Sequence, residues 1–574
     1  MADKLFAGVY FDGSVCNLSF ADTEGSPIGQ KQEYPSDPEG RHAVASYISE
    51  KFLDTGLNEN RVVLVTDDDN SLEDHQLYLA MLKEGLKVLP VARQRLSLHA
   101  DRLGIRSENI AGLASRAAAT GFDADVLLME LTNICTLRCL YCTEDLMTRR
   151  KGKMPLSTAK QIINEYAECG IGGLAFHVMG EPSVHPDLAE IIGQAARSHI
   201  RTTLLTNATL IDYKKAKELF ASGLSHICLS VQSVTEKHHF TFKRPHEQYT
   251  YEKLMSNIKG IILAKWEQKS SALIEFHIMD NSLYMPRGVK IVTNDTEAKD
   301  ALNLWVGVLR KLARESGRDD MLSHINRTEK TELTRTTWPL DWFHFTPDIV
   351  LSFKMAGHWQ QDFLERDQAV IPVKTGRCQF IASDRQLPIL WNGDAVLCCF
   401  DYDGRTRFAN LNDTSLQDAD KKARILRDKL SRWGDIPLPI CRRCLGIRIQ
   451  RLGGTAPSVS SNGEVPLSRV AVFGKETPSI NLVDILLNGG IEVPCLLDER
   501  IPGTSSEIIV ERRPLYHYET FPDKGVEAVL FPPEWKQDAN IIKKLLSRYP
   551  HLLLGHVDMV ALNPFDRPRI TAHR

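Results

Sequence analysis

Residues 125–345 repeat a pattern in which a short apolar segment is followed by a longer amphipathic one. The segments DVLLMEL, LAFHVMG, TTLLTN, HICLSVQS and ALIEFHIMD predict strands, and the stretches between them predict helices. Strands joined by helices run parallel, because the crossover returns the chain to the same edge of the sheet. The repeat therefore predicts a parallel sheet, open or closed into a barrel, with an active site at the carboxyl ends of its strands.

The region before this repeat has a different order of elements. Residues 1–120 carry three strand-like segments and then alternate helical and strand-like ones, which predicts an N-terminal α/β domain with a ribonuclease-H-like topology. Asp12, Asp67 and Asp68 fall near predicted strand ends. They are either metal-binding carboxylates of a nuclease or turn and cap residues, which Asp favours. Topology alone assigns no role to this domain.

The region after the repeat divides at a linker. Residues 346–450 break the pattern and hold a second group of cysteines, and residues 453–466 are small, polar and proline-containing, as linkers are. Residues 467–574 open with a strand, a turn, a helix and a second strand, which predicts a final α/β domain. Several domains are expected, because 574 residues are too many for one hydrophobic core.

Bulk properties narrow the class of protein. A net charge of −3 gives no sign of a nucleic-acid partner, and no run approaches the roughly 20 apolar residues that span a bilayer. The start MADKLFAGVYFDG lacks the layout of a secretion signal and is interpreted as a first strand. We therefore expect a cytoplasmic protein without membrane or nucleic-acid partners, whose 12 cysteines serve in metal ligation and as buried thiols.

Three cysteines fall within NICTLRCLYCTED, directly after the first strand of the repeat. Cys135, Cys139 and Cys142 are spaced C-x3-C-x2-C, and Tyr141 precedes the last one. Thiolates select zinc, copper(I) or iron–sulfur clusters. A structural zinc site needs four ligands, and no His or Cys follows closely enough to supply the fourth. Three cysteines can instead hold three corners of a [4Fe–4S] cluster and leave its fourth iron open.

These cysteines resemble the motif of the radical S-adenosylmethionine (SAM) superfamily. The segment VMGEP looks like the Gly-Gly-Glu-Pro motif of that family, with Met179 in place of the first Gly. The resemblance implies that Gly180 and Glu181 bind the amino group of SAM, a charge-assisted contact for the carboxylate. It also implies that SAM is the missing ligand of the cluster, and that Tyr141 packs beside the cluster and the adenine.

Three later motifs extend the resemblance. TNATL is similar to the Thr-Asn-Gly motif of the family, LSVQS stands where relatives often read Ser-x-Asp, and FKRP holds an arginine where relatives often carry one. The resemblance implies that Asn207 orients SAM and that Ser230 and Gln232 contact its ribose or carboxylate. Arg244 would lie near the SAM carboxylate. Alternatively, Asn207 and Ser230 satisfy backbone groups at strand ends.

The second group of cysteines resembles the SPASM domain, an auxiliary-cluster module. Cys378 and Cys398 fit the pattern C-x14-G-x4-C, and Cys441 and Cys444 form a C-x2-C pair. The full pattern continues with further cysteines, whereas Gln450 occupies the next expected position, so the module is truncated, or twitch-like. The four cysteines then suffice for one auxiliary [4Fe–4S] cluster. A four-cysteine zinc site is the alternative.

The resemblance also implies an architecture and an activity. The expected fold is α/β: a partial (βα)6 TIM-type barrel, a small SPASM-like module, an N-terminal α/β domain and a C-terminal Rossmann-like domain. The implied enzyme reductively cleaves SAM to a 5′-deoxyadenosyl radical that abstracts hydrogen from a substrate. A flavodoxin or ferredoxin would donate the electron, and the implied substrate is a small molecule or a peptide.

The substrate prediction depends on the last domain. Residues 467–574 resemble sugar-nucleotide-binding modules, with Gly474 after the first strand and Asp498 after the second. This resemblance favours a carbohydrate or nucleotide-linked metabolite as substrate. One alternative is radical modification of a peptide or protein, and another is a non-catalytic iron–sulfur or zinc scaffold.

Overall fold

A computed structural model gives the architecture and divides the chain into two compact units. The first unit comprises Met1–Gly357 and Ser383–Arg424, and the second comprises His358–Ala382 and Ile425–Arg574. The structure describes residues 5–12, 15–22, 24–35, 37–53, 61–66, 81, 86, 88–92, 96, 110–120, 122–170, 172–232, 235–282, 284–330, 333, 342–378, 380–381, 385–454, 459–501, 509–510, 512–522 and 525–560.

The first unit opens with a five-stranded sheet in the order β3-β2-β1-β4-β5. The strands β1, β2 and β3 are antiparallel neighbours, whereas β4 and β5 run parallel to β1, as the predicted order of elements requires. Asp12 ends β1, while Asp67 and Asp68 lie outside the described residues. The elements are β1 (Phe6–Asp12), β2 (Val15–Ala21), β3 (Pro27–Pro35), α1 (Pro38–Leu53), β4 (Arg61–Thr66), β5 (Val88–Ala92) and α2 (Ile110–Thr120).

A ten-stranded sheet forms the rest of the first unit, in the order β11-β12-β10-β9-β8-β7-β6-β15-β16-β17. The six strands β6, β7, β8, β9, β10 and β12 are successive parallel neighbours, which confirms the parallel sheet predicted from the repeat. The strands are β6 (Val126–Met129), β7 (Gly173–Phe176), β8 (Thr202–Thr206), β9 (His226–Gln232), β10 (Leu273–Asp280), β11 (Trp342–Thr346), β12 (Ile349–Met355), β15 (Gln386–Ile389), β16 (Asp394–Ala395) and β17 (Ala409–Asn410).

Helices cover one face of this sheet. The apolar core joins strand residues such as Leu229 and Phe276 to helix residues such as Ile261 and Trp305, whose ring lies 4.3 Å from that of Phe276. Burial of so many large side chains is the main stabilising contribution to this α/β layer. The helices are α3 (Leu156–Cys169), α4 (Leu188–Arg197), α5 (Tyr213–Ala221), α6 (Tyr251–Gln268), α7 (Asp295–Glu315), α8 (Leu322–Glu329) and α9 (Leu416–Ser431), with a short helical turn at Glu236–His238 that continues as a π-helical turn at His239–Lys243.

The other face of the parallel strands carries many polar residues, and we call it the inner face. Along β8, core residues alternate with partly exposed ones, because successive side chains of a strand point to opposite faces. The polar residues of the inner face are Thr203, His226, Cys228, Ser230, Glu275, His277, Ser352 and Lys354. Apolar residues such as Leu205 and Val350 lie among them on the same face.

The second unit is built on an eight-stranded sheet in the order β13-β19-β25-β24-β20-β21-β23-β22. The strands β25, β24, β20, β21 and β23 run parallel, with β20 central, as in a doubly wound fold. The elements are β13 (Gln368–Ile371), β14 (Thr375–Gly376), β18 (Gly434–Asp435), α10 (Pro439–Cys444), β19 (Ile447–Gly453), β20 (Val470–Phe473), α11 (Thr477–Asn488), β21 (Leu496–Asp498), β22 (Ile509–Val510), β23 (Arg513–His517), β24 (Ala528–Phe531), α12 (Ala539–Arg548) and β25 (Leu553–Val560).

Part of the predicted linker 453–466 is hydrogen-bonded to this sheet. The Val370 amide donates to the Gly463 carbonyl at 2.9 Å, and the Val465 amide donates to the Val370 carbonyl at 2.9 Å. Residues 455–458 of the linker lie outside the described residues. Within the described part of the chain, no helix combines the length and apolar character that crossing a membrane requires.

Candidate functional site

The three clustered cysteines lie in the loop that follows β6. Amides of this loop donate to the π-helical turn after β9: Arg138 to the Lys243 carbonyl at 3.2 Å, and Leu140 to the Phe242 carbonyl at 2.8 Å. Within the loop, the Cys142 amide donates to the Cys139 carbonyl at 3.1 Å. The structure confirms the prediction that the cysteines follow a strand. Hydrogen bonds to residues about 100 positions later in the chain hold the loop in place.

The three thiols of this loop share one environment, in which burial and the neighbouring thiols shift their pKa values. Burial, and then the neighbouring thiols, raise the pKa of Cys135 above its usual range, and burial followed by Cys139 raises the pKa of Cys142 to about 12. Burial also raises the pKa of Cys139. Three adjacent thiols that resist ionisation suit a metal cluster, because its positive irons stabilise the thiolates that water does not reach.

The donor set fits one thiolate at each of three cluster corners. None of the cysteines in the described residues forms a disulfide, and Cys135, Cys139 and Cys142 are each partly exposed. In the described ranges no three His, Cys, Asp or Glu side chains are arranged around a single metal-ion position. A [4Fe–4S] cluster takes each of its thiolates on a different iron.

Tyr141 is buried against the cysteines. Burial raises the pKa of its hydroxyl well above the usual value, followed by the charge of Cys139 and a hydrogen bond with the Cys139 thiol. The ring belongs to the same apolar core as the strands. Tyr141 therefore supports the loop from the core side, and its predicted contact with an adenine stays a prediction.

Glu181 lies at the carboxyl end of β7 and is 1% exposed. Its Oε1 accepts from the Thr206 hydroxyl at 2.6 Å and from the amide and hydroxyl of Ser183 at 3.1 and 2.6 Å. Its Oε2 accepts from the Asn207 amide at 2.7 Å. A carboxylate has about four acceptor sites, so Oε2 is the oxygen with room for a further donor such as an ammonium.

Gly180 is required by the backbone of the same loop. Its φ is +76°, and a Cβ there would lie 2.3 Å from the Thr132 carbonyl oxygen. The loop after β7 and the start of the cysteine loop therefore approach each other closely, which brings the predicted SAM motif beside the cysteines.

Asn207 connects the loop after β8 to the cysteine loop. Its Nδ2 donates to the Thr136 hydroxyl at 3.1 Å and contacts the Cys135 sulfur at 3.7 Å. Its Oδ1 accepts from the amide and hydroxyl of Thr209 at 3.0 and 2.6 Å. The observed contacts of Asn207 position the cysteine loop, and its predicted role in orienting SAM stays a prediction.

Ser230 and Gln232 lie together at the end of β9. The Gln232 Nε2 donates to the Ser230 hydroxyl at 3.0 Å, and Gln232 has a φ of +55°. The Gln232 Oε1 is buried and has no hydrogen-bond partner among the described residues. An unpaired buried acceptor is costly, so this oxygen is available to a bound molecule with a donor group.

The sequence did not single out Lys243, the neighbour of Arg244. Arg244 is exposed, with a φ of +45°, whereas Lys243 is 1% exposed and its Nζ donates to the Ser230 carbonyl at 2.8 Å. Burial lowers the pKa of Lys243, and the charges of Cys139, Cys135 and Glu181 oppose that shift. Lys243 is therefore a buried amine of the site, and the predicted contact of Arg244 with the SAM carboxylate stays a prediction.

A buried ion pair that the sequence analysis did not identify lies beside the cysteine loop. Glu130 is 1% exposed and binds Arg149 through two hydrogen bonds of 2.8 and 2.9 Å. Its carboxylate also accepts from the amides of Met179 at 3.2 Å and Trp391 at 3.3 Å. Glu130 and Arg149 bracket the cysteine motif in sequence, but nothing in their spacing reveals the bidentate pair.

The second cysteine group is divided between the two compact units. Cys398 belongs to the first unit, where its sulfur accepts from the Phe400 amide at 3.4 Å and hydrogen-bonds with Cys399. Cys378, Cys441 and Cys444 belong to the second unit, with Cys441 and Cys444 on α10. The four-cysteine ligand set stays a prediction.

At the carboxyl ends of β20 and β21 in the second unit, the charged side chains bind one another. Asp498 accepts from Arg500 at both oxygens, at 3.0 and 2.8 Å, and Arg500 also donates to Glu476 at 2.8 Å. The Gly474 φ is +95°, and a Cβ there would lie 2.5 Å from the Ser479 hydroxyl. The carboxylate that meets ribose in dinucleotide-binding folds is therefore paired internally.

Comparison with known proteins assigns families to two parts of the chain. Residues 129–272 match the model of the radical SAM superfamily, and residues 378–445 match that of the SPASM iron–sulfur cluster-binding domain. The second match ends directly after Cys444, which agrees with the short module predicted from the sequence. Both matches confirm the predicted cofactors, SAM and iron–sulfur clusters.

Among curated relatives, two PqqA peptide cyclases are similar to a part of the chain. The protein of Gluconobacter oxydans is 39% identical over 112 residues, which are 19% of this chain and 31% of that protein. The protein of Granulibacter bethesdensis is 39% identical over 111 residues, which are 19% of this chain and 29% of that protein. The match thus spans less than a third of the length of these relatives.

Solved structures show only a remote likeness. Streptococcus suis SuiB bound to S-adenosylmethionine has a TM-score of 0.35 at 14% identity, over 72% of this chain and 86% of that chain. SuiB bound to the precursor peptide SuiA has a TM-score of 0.34 at 13% identity, over 71% and 88%. Residues 129–272, which include the cysteine loop after β6, thus form a radical SAM domain, and residues 378–445 form a SPASM-type iron–sulfur domain.

Proposed function

We propose that the chain is a radical SAM enzyme that modifies a peptide or protein. The main support is that three cysteines, an acidic residue and a lysine lie close together at one edge of a parallel sheet. These residues are Cys135, Cys139, Cys142, Glu181 and Lys243. When bound, the cluster and SAM would supply one-electron reductive cleavage to a 5′-deoxyadenosyl radical. The chain itself would bind and orient these groups and exclude water from them.

Each proposed residue role follows from its contacts. The free acceptor capacity of Glu181 Oε2 and the unpaired Oε1 of Gln232 would take donor groups of SAM. Lys243 places a positive charge beside the cysteine loop, where thiolates accumulate negative charge. Asn207 keeps Cys135 in place through the Thr136 contact.

The choice of substrate class rests on two observations. The similar curated relatives are named peptide cyclases, which favours a peptide over the carbohydrate or nucleotide-linked metabolite expected from the sequence. The support for a nucleotide came from Asp498, whose oxygens are both engaged by Arg500. A peptide substrate is therefore the better proposal.

The chemistry is tested by anaerobic reconstitution with iron and sulfide, reduction, and quantification of 5′-deoxyadenosine from SAM. The native chain should produce it, and Cys135→Ala should lower its yield at least about 100-fold, because one cluster ligand is lost. Cys169→Ala, at the end of α3, is the matched control and should retain full cleavage. Equal yields from the Cys135→Ala and native proteins would contradict the proposal.

The substrate class is tested separately. Synthetic peptides from reading frames beside the gene are incubated with the reconstituted enzyme and SAM, and their masses are compared before and after turnover. A SAM-dependent mass change supports the peptide assignment. A change in added sugar nucleotides with none in any peptide would restore the carbohydrate alternative.

A further inference from the structure

The inner face of the parallel sheet holds a thiol–imidazole pair outside the cysteine motifs. Cys228 on β9 lies 3.5 Å from the Nδ1 of His277 on β10, measured from its sulfur. The sequence analysis left Cys228 among the buried thiols, and its alternation with Leu229 places it on the polar side of the strand. A cysteine that merely fills a core packs against apolar atoms, whereas this one contacts a ring nitrogen.

The outer nitrogen of the same imidazole has no partner. His277 Nε2 is buried and accepts or donates no hydrogen bond among the described residues. Buried polar atoms are almost always paired, so an unpaired ring nitrogen on the open side of a sheet indicates space for a bound molecule. This observation is independent of the thiol.

Charged and titratable groups lie near the pair on β9, β10 and β12, whereas β8 places the apolar Leu205 beside Cys228. Glu275 on β10 lies 3.2 Å from His226 Nε2 on β9 and 3.7 Å from Lys354 Nζ on β12, and it accepts from the Ser352 hydroxyl. His177, beyond the end of β7, is close enough to lower the pKa of His277. Lys354 therefore offsets the charge of the single carboxylate of the group.

The protonation states of the pair are set by burial. Burial, and then the Glu275 charge, raise the pKa of Cys228 well above its usual value, so the thiol keeps its hydrogen near pH 7. Burial lowers the pKa of His277 to about 4, so the imidazole is neutral there. A neutral ring beside a protonated thiol is a hydrogen-bonded pair and not a thiolate–imidazolium nucleophile.

The pair lies close to the proposed SAM residues. Ser230 follows Cys228 by two positions on the same strand and face, a separation of about 7 Å along the strand. The Ser230 carbonyl accepts from Lys243, and its hydroxyl accepts from Gln232. The thiol therefore lies deeper on the inner face than the residues at the strand end.

We propose that the Cys228 thiol, positioned by His277, donates a hydrogen atom to a carbon-centred radical formed on the inner face. The proposal rests on the radical chemistry above and adds a second site to it. In the step, the S–H bond breaks homolytically, a C–H bond forms on the radical, and a thiyl radical remains on Cys228. One electron from a flavodoxin- or ferredoxin-type donor and one proton from solvent restore the thiol.

The probe is SAM alone, in D2O. The thiol exchanges its hydrogen with solvent, whereas the carbon-bound hydrogens of SAM do not, so a donated atom appears as deuterium in 5′-deoxyadenosine. The reconstituted, reduced native protein should yield mostly singly deuterated product by mass spectrometry. Cys228→Ser should lower the deuterated fraction at least about fivefold, because an O–H bond is too strong to give its hydrogen to a carbon radical.

Controls separate this outcome from a failure of SAM cleavage. Cys169→Ala should keep both product yield and deuterium fraction, and His277→Gln should lower the deuterium fraction of the 5′-deoxyadenosine that it forms. Absence of 5′-deoxyadenosine from the native protein would contradict the proposed function. Normal yield with an unlabelled product, or with the same label in Cys228→Ser, would overturn the hydrogen-donor role alone.

A second measurement needs no cluster. Metal-free protein is treated with methyl methanethiosulfonate, and modification of each cysteine is followed by peptide mass spectrometry. Cys228 should react at least about tenfold faster than Cys16, which is enclosed in the apolar core of the N-terminal sheet. A Cys228 rate equal to or below that of Cys16 would mean that the thiol is sealed, which would overturn the proposal.

Discussion

Two parallel sheets of this protein place a carboxylate at a strand end, and they use it in different ways. Glu181, after β7, accepts only from hydroxyl and amide donors of neighbouring loops. Asp498, at the end of β21, is engaged on both oxygens by Arg500. The first carboxylate is hydrogen-bonded by neutral donors, whereas the second is hydrogen-bonded by a guanidinium of its own loop.

The partners of a strand-end carboxylate determine whether it can bind a ligand or only stabilises its own loop. A carboxylate held by neutral donors remains attractive to an incoming ammonium, because no cation is hydrogen-bonded to it and Lys243 acts on it only through its charge. A carboxylate bound by an arginine fork has no such attraction left. The same position in two α/β sheets therefore predicts a ligand only when its internal partners are known.

The largest expected loss of stability comes from substituting the glycines of the two loops. Gly180→Ala would force a Cβ to within 2.3 Å of the Thr132 backbone oxygen, which cannot rotate away. Gly474→Ala meets the Ser479 hydroxyl at 2.5 Å, and a side chain can move. We expect losses of about 4 kcal/mol and about 2 kcal/mol, respectively, from the strain of positive φ plus contact. Urea unfolding of the metal-free proteins measures both, and a larger loss for Gly474→Ala would reverse the comparison.

The next effect concerns Glu181 itself. In Glu181→Gln, the amide group of Gln must face either the Asn207 backbone amide or the Ser183 backbone amide, so a donor meets a donor. We expect a loss of about 2–4 kcal/mol in the free energy of unfolding. Unchanged stability in chemical denaturation would show that the Glu181 contacts rearrange at no cost.

A pH effect follows from the neutral imidazoles of the first unit. Burial lowers the pKa of His177 and of His277 from 6.5 to about 4, so the unfolded chain binds more protons between these values. Stability should therefore fall as the pH drops from about 6.5 to 4, by up to about 1.4 kcal/mol per pH unit for each group. His277→Gln should flatten this slope in pH-dependent unfolding, while His42→Gln, at an exposed position of α1, should leave it unchanged. An unaltered slope in His277→Gln would contradict the assigned burial.

The smallest effect is expected at the second carboxylate. Asp498→Asn keeps an oxygen for the Arg500 amide and loses the ion pair with a guanidinium whose side chain is 55% exposed. Because exposed pairs contribute little, the expected loss is within about 1 kcal/mol, and thermal unfolding should detect only a small shift. A loss equal to that of Glu181→Gln would remove the distinction between the two sites.

The sequence predicted those features that depend on local spacing. The βα repeat predicted five of the six parallel strands, all but β12, and C-x3-C-x2-C predicted a loop after β6 that presents three thiols. Features made by residues distant in sequence were not predictable. Lys243 rather than Arg244 is buried because a π-helical turn shifts the register after β9. The Glu130–Arg149 and Cys228–His277 pairs likewise require knowledge of which strands are neighbours.

The contacts of the cysteine loop also set an order of events during synthesis. Asn207 Nδ2 reaches Cys135 across 72 residues, and the Thr136 and Thr209 hydroxyls meet across 73 residues. Closing such long segments costs chain entropy that only the formed sheet repays, so these contacts form late. The loop that presents the thiols therefore reaches its final conformation only after β8 and β9 have emerged and paired.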